Sequence, residues 1–204
     1  MSNIIFTKLI SLPGIVVGLC FHEWAHARVS YALGDPTPMR QGRCTINPLA
    51  HIDPVGFIAL LLCGFGWGKP VQIDPRYYKH RRRDEFLVAI AGITCNLLLA
   101  VLFSFPTKLV YNSYQSSGNG VLEILFYVLY YTVTINLVLM IFNLIPCPPL
   151  DGWGIVTQLF NLQKYEWWYK LYRYGSLILI ILIVTNVTDY VITQAINAIL
   201  GILF

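Results

Sequence analysis

The chain has 204 residues, 56% hydrophobic and only 12% charged, against a charged share of about 25% in soluble domains. That balance excludes an ordinary soluble globule and points to a membrane protein. The net charge of +4 comes without a basic stripe of interleaved stacking aromatics, so the sequence favours an anionic lipid leaflet over nucleic acid as its partner. The cysteines Cys20, Cys44, Cys63, Cys95 and Cys147 are odd in number and lie mostly in or beside apolar segments. They read as small apolar packing residues, not as a disulfide framework.

The elements follow in chain order. Residues 4–33 form one helix candidate, apolar in its first two thirds and ending at Gly34-Asp35-Pro36. It lacks the basic start and small-residue exit of a signal peptide, so it reads as a retained first transmembrane helix. Residues 36–53 are rich in turn residues, and "RCTIN" predicts a small hairpin. "VGFIALLLCGFGWG" is an apolar run bounded by Pro54 and glycines. Runs of about 10 to 14 residues are more often re-entrant than spanning. The basic block "KPVQIDPRYYKHRRRD" precedes two spans, 86–111 and 121–145, joined by "NSYQSSGNG". "IPCPPLDGWG" breaks the second span, and 152–164 predicts a short helix. "WWYKLYRYGSLILIILIV" is a further span that begins in an aromatic and basic belt. The last stretch, 187–204, is apolar enough to insert or to lie in the membrane.

These elements predict an all-α polytopic membrane protein. Several transmembrane helices are expected, with a short β-hairpin or re-entrant segment after the first helix. Without an internal repeat or linker, residues 1–204 read as a single domain. Lysine and arginine placement sets the orientation. If 54–66 is re-entrant, only Lys8 and Lys108 fall outside. If it crosses, Arg28, Arg40 and Arg43 also move out while Lys8 moves in, a poorer count. Either way the basic block and the loop after Asp151 face the cytoplasm.

Chemistry concentrates at two points. His22 and His26 in "HEWAH" are four apart, so on a helix they share one face and suit one metal ion. Glu23 is rotated about 100° from His22, close enough to act as a general base without being a ligand. This is the H-E-x-x-H arrangement of metalloproteases. A hydrolytic zinc site needs a third protein ligand. "FNLIPCPPLDGWG" supplies one: the prolines unwind the end of a span, Asp151 follows, and Gly152 permits a tight turn. Asp151 also reads as an ordinary helix N-cap. Asn96, an amide within an apolar span, is a candidate oxyanion donor or a helix–helix hydrogen bonder. Asn143 reads as a backbone satisfier beside the prolines, with a substrate role as the alternative. His51 in "LAHIDP" either orients substrate or bonds the local backbone. His80 in "YKHRRR" belongs to a lipid-facing basic patch. The stretches "RCTIN" and "WGKPVQI" are candidate edges for capturing an unwound substrate by strand addition.

Together, HEWAH at 22–26 and NLIPCPPLDG at 143–152 resemble the signature of the site-2 protease family of intramembrane zinc metalloproteases. The family's middle element is represented by "AGITCN", residues 91–96, with Ile93 where a proline is usual. "NPLAHIDPVG" and "WGKPVQIDP" further resemble the compact members that lack PDZ and CBS domains. The resemblance covers about residues 10–180. It implies one zinc ion held by His22, His26 and Asp151, with Glu23 as base and proton shuttle. It also implies a core of the helices bearing HEWAH, AGITCN and LDG, and substrates that are transmembrane proteins cut within or near their membrane segments. The alternatives are a metal-binding membrane transporter, which would scatter polar groups along several helices, and a non-catalytic membrane scaffold.

Overall fold

Four apolar runs become four long helices. The computed structural model describes residues 4–63 and 66–204. Its helices are α1 (Ile4–Ala32), α2 (Thr37–Arg40), α3 (Pro54–Cys63), α4 (Arg81–Ser117), α5 (Gly120–Leu144), α6 (Asp151–Phe160), α7 (Glu166–Val184) and α8 (Val187–Leu203). Among the described residues, α1, α4, α5 and α7 are long and apolar enough to cross a membrane. This is the all-α polytopic architecture the sequence predicts. α4 is the longest at 37 residues, about 55 Å at 1.5 Å per residue. That exceeds a hydrocarbon core of about 30 Å, so its polar ends overhang.

Local chemistry sets the boundaries. α4 closes on Gly118 in the left-handed conformation (φ 62°), whose N–H returns to the Tyr114 carbonyl. Asn119 then caps α5, its side chain accepting from the Val121 N–H at 2.8 Å. The tight link makes α4 and α5 antiparallel neighbours. Both pack along their length against each other and against α1. Ile93 and Ala100 of α4 meet Val133, Leu137 and Ile141 of α5, and α8 docks on this cluster through Ile192 and Ile196. α6 packs mainly on α4. The third core helix is therefore α5. The LDG sequence begins the short α6 that follows it, so LDG itself is not on a spanning helix. Residues 91–96 run as uninterrupted helix, with Ile93 buried where the family's proline is usual.

Residues 33–80 form an excursion at one end of the bundle. Hydrogen bonds from the last third of α1 to the first half of α4 show that the excursion starts and finishes at the same end. α3 is ten residues, about 15 Å, and Lys8 of α1 reaches its end, donating to the Leu61 carbonyl. The turn at 64–65 lies outside the described residues. The chain then returns with Gly66 against Gly56 and Leu60, and Gly68 pairs with Ile52 in one isolated antiparallel bridge. The chain thus leaves at Ile52 and comes back beside it at Gly68.

The predicted β-hairpin does not form. Among the described residues the 52–68 bridge is the sole strand-type pairing. Side chains occupy the backbone groups a ladder would use. The Arg43 guanidinium donates to the carbonyls of Ala50, Lys69 and Pro70. His51 Nε2 donates to the Thr45 carbonyl at 2.7 Å, and the Thr45 hydroxyl accepts from the Asn47 N–H. Of the cysteines, Cys20 and Cys147 are buried and Cys44 and Cys95 half-buried, all as free thiols. The side chain of Cys63 lies outside the described ones.

Candidate metal centre

The two HEWAH imidazoles lie one turn apart on the buried face of α1, near its C-terminal end. His22 Nε2 and His26 Nε2 are 3.1 Å apart. Asp151 Oδ2, at the start of α6, stands 3.1 Å from the first and 3.2 Å from the second. No other cluster of three potential ligands occurs among the described residues.

The opposite edges of both rings are tied back. His26 Nδ1 lies 2.8 Å from the Val88 carbonyl, which can only accept, so Nδ1 carries the proton. His22 Nδ1 lies 2.6 Å from Asn96 Oδ1. The amide orientation of Asn96 is fixed because its nitrogen donates to the Gly18 carbonyl at 3.1 Å and to Asn136 Oδ1 at 2.9 Å. Asn136 in turn donates to the Thr132 carbonyl at 2.8 Å. With Nδ1 turned outward, each histidine in its neutral form presents an Nε2 lone pair to the centre. Asp151 Oδ2 is buried, and the two Nε2 atoms are its close neighbours. With both imidazoles neutral, the three converging acceptors repel one another unless a cation sits among them. Ligands held 2.0–2.1 Å from a tetrahedral ion stand about 3.3 Å apart, close to the separations seen. The two-histidine, one-carboxylate set fits zinc.

Close approach depends on two glycines. A Cβ on Gly92 of α4 would lie 2.5 Å from His22 Cε1 and 2.5 Å from His26 Nε2. A Cβ on Gly152 would lie 2.3 Å from the Leu144 carbonyl oxygen. Gly152 thus serves the crossing of α6 over the end of α5. The tight turn predicted there is not what requires it, since its φ is not positive.

The cluster opens into a cavity of about 440 Å³. Glu23 lines it, as do Val71, Asn143, Trp153, Gln158 and Tyr172. Glu23 Oε2 accepts from the Val71 N–H at 2.9 Å, so "WGKPVQI" lies across the cleft as an extended segment. That N–H is already engaged, which alters the picture of a free strand edge.

Other predicted residues fall differently. Asn96 is fully buried and does not line the cavity. Its amide hydrogens go to Gly18 and Asn136 and its oxygen meets His22 Nδ1, the arrangement of a helix–helix hydrogen bonder, with both amide hydrogens engaged. His51 is also fully buried and away from the cavity, and bonds the Thr45 carbonyl. That bond is the local-backbone alternative and ties His51 to the start of the 45–51 loop. Asn143 does line the cavity and donates one hydrogen to the Leu139 carbonyl at 3.0 Å.

The sequence reading missed a clamp that holds the 70–75 segment. Asp35 is fully buried. It accepts from the Thr37 N–H at 2.9 Å, the Asp74 N–H at 2.8 Å and the Ser30 hydroxyl at 2.9 Å. Ser30 spends its hydrogen on Asp35, so Tyr78 donates to it at 2.7 Å. Burial alone would raise the Asp35 pKa, but the bonds from Thr37, Asp74 and Ser30 outweigh it and hold the carboxyl below its ordinary range. Burial pushes the Tyr78 hydroxyl up to about 12. The sequence signal was the polar Ser30 and Asp35 at the end of an apolar helix, four residues beyond HEWAH and just past its last turn.

The model of peptidase family M50 matches residues 108–183. A Bacillus subtilis (strain 168) protein named "Putative zinc metalloprotease YwhC" is 35% identical over 97% of this chain and 92% of its own length. The chain belongs to peptidase family M50. This is the site-2 protease family, and the chain is a polytopic member of it. A Mycolicibacterium smegmatis protein named "Putative zinc metalloprotease Rip2" is 27% identical over 87% of this chain and 67% of its own length. A Mycobacterium tuberculosis (strain H37Rv) protein of the same name is 29% identical over 70% of this chain and 54% of its own. No solved structure matches the chain.

Proposed function

We propose that this zinc-dependent intramembrane protease of the site-2 family is an HExxH-type endopeptidase with one zinc ion, held by His22, His26 and Asp151. The observation that carries the assignment is the convergence of three potential ligand atoms, His22 Nε2, His26 Nε2 and Asp151 Oδ2, at 3.1–3.2 Å. When bound, zinc supplies Lewis acidity, making water nucleophilic near neutral pH and polarising the scissile carbonyl.

The remaining work falls to the chain's own groups. Glu23 takes the proton of the attacking water and returns it to the leaving nitrogen. The Val71 N–H holds one carboxylate oxygen at 2.9 Å, leaving the other for that transfer. Asn143, with one amide hydrogen uncommitted to Leu139, is the candidate donor to the substrate carbonyl. Asn96 and the Val88 carbonyl keep both imidazoles in the ligand tautomer.

The substrates are membrane-protein segments reaching the cavity from the bilayer. The lysine and arginine count supports a site nearer the cytoplasmic side of the cell membrane. Site residues from 22 to 151 lie on mutually packed helices, which supports one catalytic domain over 1–204.

The test is co-expression with a membrane substrate, comparing wild type with Glu23→Gln. The variant should lose cleavage by about 10²–10⁴-fold and keep its zinc. Equal processing by both would sink the assignment.

A further inference from the structure

A second cavity, of about 520 Å³, lies where the start of α4 meets the end of α6. It adjoins the zinc-site cavity, and Gln158 lines both. Phe86 and Leu159 supply apolar wall, and Arg81, Arg82 and Arg83 supply the charge beside His80. Three arginines in the first turn of a long helix run against the macrodipole, whose positive end favours anions there. Asp84 is the only acidic residue in that turn, and it is buried.

The internal bonds use only part of the donor supply. Arg81 Nε donates to Glu85 at 2.6 Å. Arg83 bonds the Asp84 carboxylate. Arg82 caps the Gln158 and Leu159 carbonyls at the end of α6. Each guanidinium has five N–H donors, so all three arginines retain some. The Arg81 and Arg83 side chains remain 66% and 61% exposed.

The depth of the cavity identifies the ligand class. α4 is charged through Glu85 and largely apolar from Phe86 onward, which sets residues 81–85 at the level of lipid headgroups. Leu159 and the neighbouring Phe160 expose apolar side chains beside the cavity. A cationic rim above an apolar wall complements a molecule that is anionic at one end and hydrocarbon at the other. We infer that this pocket seats an acidic phospholipid, its phosphodiester at Arg81 and Arg83 and its first acyl carbons along Phe86 and Leu159.

The experiment is native mass spectrometry of the purified full chain titrated with phosphatidylglycerol or phosphatidylcholine. Phosphatidylglycerol should bind in preference. Arg81→Gln/Arg83→Gln should weaken it by about fivefold per arginine, the factor equivalent to about 1 kcal/mol for each basic residue, and leave phosphatidylcholine unchanged. Lys170→Gln/Arg173→Gln, which removes two other exposed charges near the start of α7, should change binding by roughly twofold at most. Equal losses in the two variants would mean diffuse surface charge and overturn the pocket. Displacement of the lipid by millimolar inorganic phosphate, or by an acidic peptide, would overturn the choice of a lipid. Zinc content reports folding of each variant. If the double variant fails to fold, Arg81→Gln alone carries the test, because Arg81 pairs on the surface while Arg83 contacts the buried Asp84. An unchanged preference for phosphatidylglycerol in that variant would overturn the site at Arg81.

Discussion

The two halves of the proposed catalytic site are built in different ways. The metal-holding half rests on α1 and α4, which pack along their length and lock His22 and His26 through Asn96, Asn136 and the Val88 carbonyl. The half that closes over Glu23 is an extended segment outside any helix among the described residues. Side chains hold it: Arg43 on the Lys69 and Pro70 carbonyls, and Asp35 on the Asp74 N–H. The contrast teaches a division of labour. Helix packing fixes ligand geometry, which tolerates little error, and a loop pinned at few points can part to admit a peptide. Changes in the first half should remove zinc. Changes in the second should alter cleavage and spare zinc.

Gly92→Ala gives the largest effect on the helical half. The new methyl would sit 2.5 Å from atoms of both imidazoles, and α4, packed on α1 and α5, has little freedom to withdraw. Zinc content of the purified variant should fall to background with helical circular dichroism intact. Retained zinc would show that the helical half is more compliant than its packing indicates. Asn96→Ala comes next. It removes the acceptor that fixes the His22 tautomer and leaves Asn136 without its donor, so zinc affinity should drop by about 10–100-fold. Chelator competition measures this, and an unchanged affinity would refute the positioning role.

The sequence was legible where pattern and chemistry are local. Four-residue spacing put His22 and His26 on one face, and the prolines before Asp151 marked where a helix must end. Apolar run lengths separated the four long helices from the ten-residue α3. Three things were not legible because long-range contacts decide them. Asn96 showed as a buried amide, but its partners lie on α1 and α5, so its donors could not be assigned. "RCTIN" carries strand propensity, yet Arg43 and His51 take the backbone carbonyls that a hairpin would need. Asp35 looked like part of a helix stop, and its bond to Asp74, 39 residues on, appears only in three dimensions.

In the loop half, Val71→Pro removes the N–H that holds Glu23. Cleavage should fall about tenfold, the equivalent of roughly 1.4 kcal/mol for a hydrogen bond to a charged group, with zinc retained. Because that bond is lost along with any strand edge, this variant tests the positioning of Glu23 and cannot isolate substrate capture. Loss of zinc would show that the two halves are coupled after all.

The smallest expected effect lies at Asp35. Asp35→Asn keeps one acceptor but replaces the charged oxygens that serve Thr37, Ser30 and Asp74, so a loss of a few-fold in cleavage is expected. The clamp also predicts a pH window. Asp35 has a depressed pKa, so its contribution is complete above the unfolded carboxyl value of about 3.9 and disappears as the pH falls through the lower folded value. Tyr78, pushed up to about 12, contributes fully below the unfolded value of about 10 and loses that contribution as the pH rises toward its folded value. The segment should therefore stay pinned from about pH 4 to about pH 10. Amide exchange at Asp74 measures the acid limb: protection should persist at pH 5 and decline toward pH 3, and Asp35→Asn should show reduced protection without that decline. A decline shared by both proteins would assign the acid sensitivity to another carboxylate and leave Asp35 an ordinary helix-end residue.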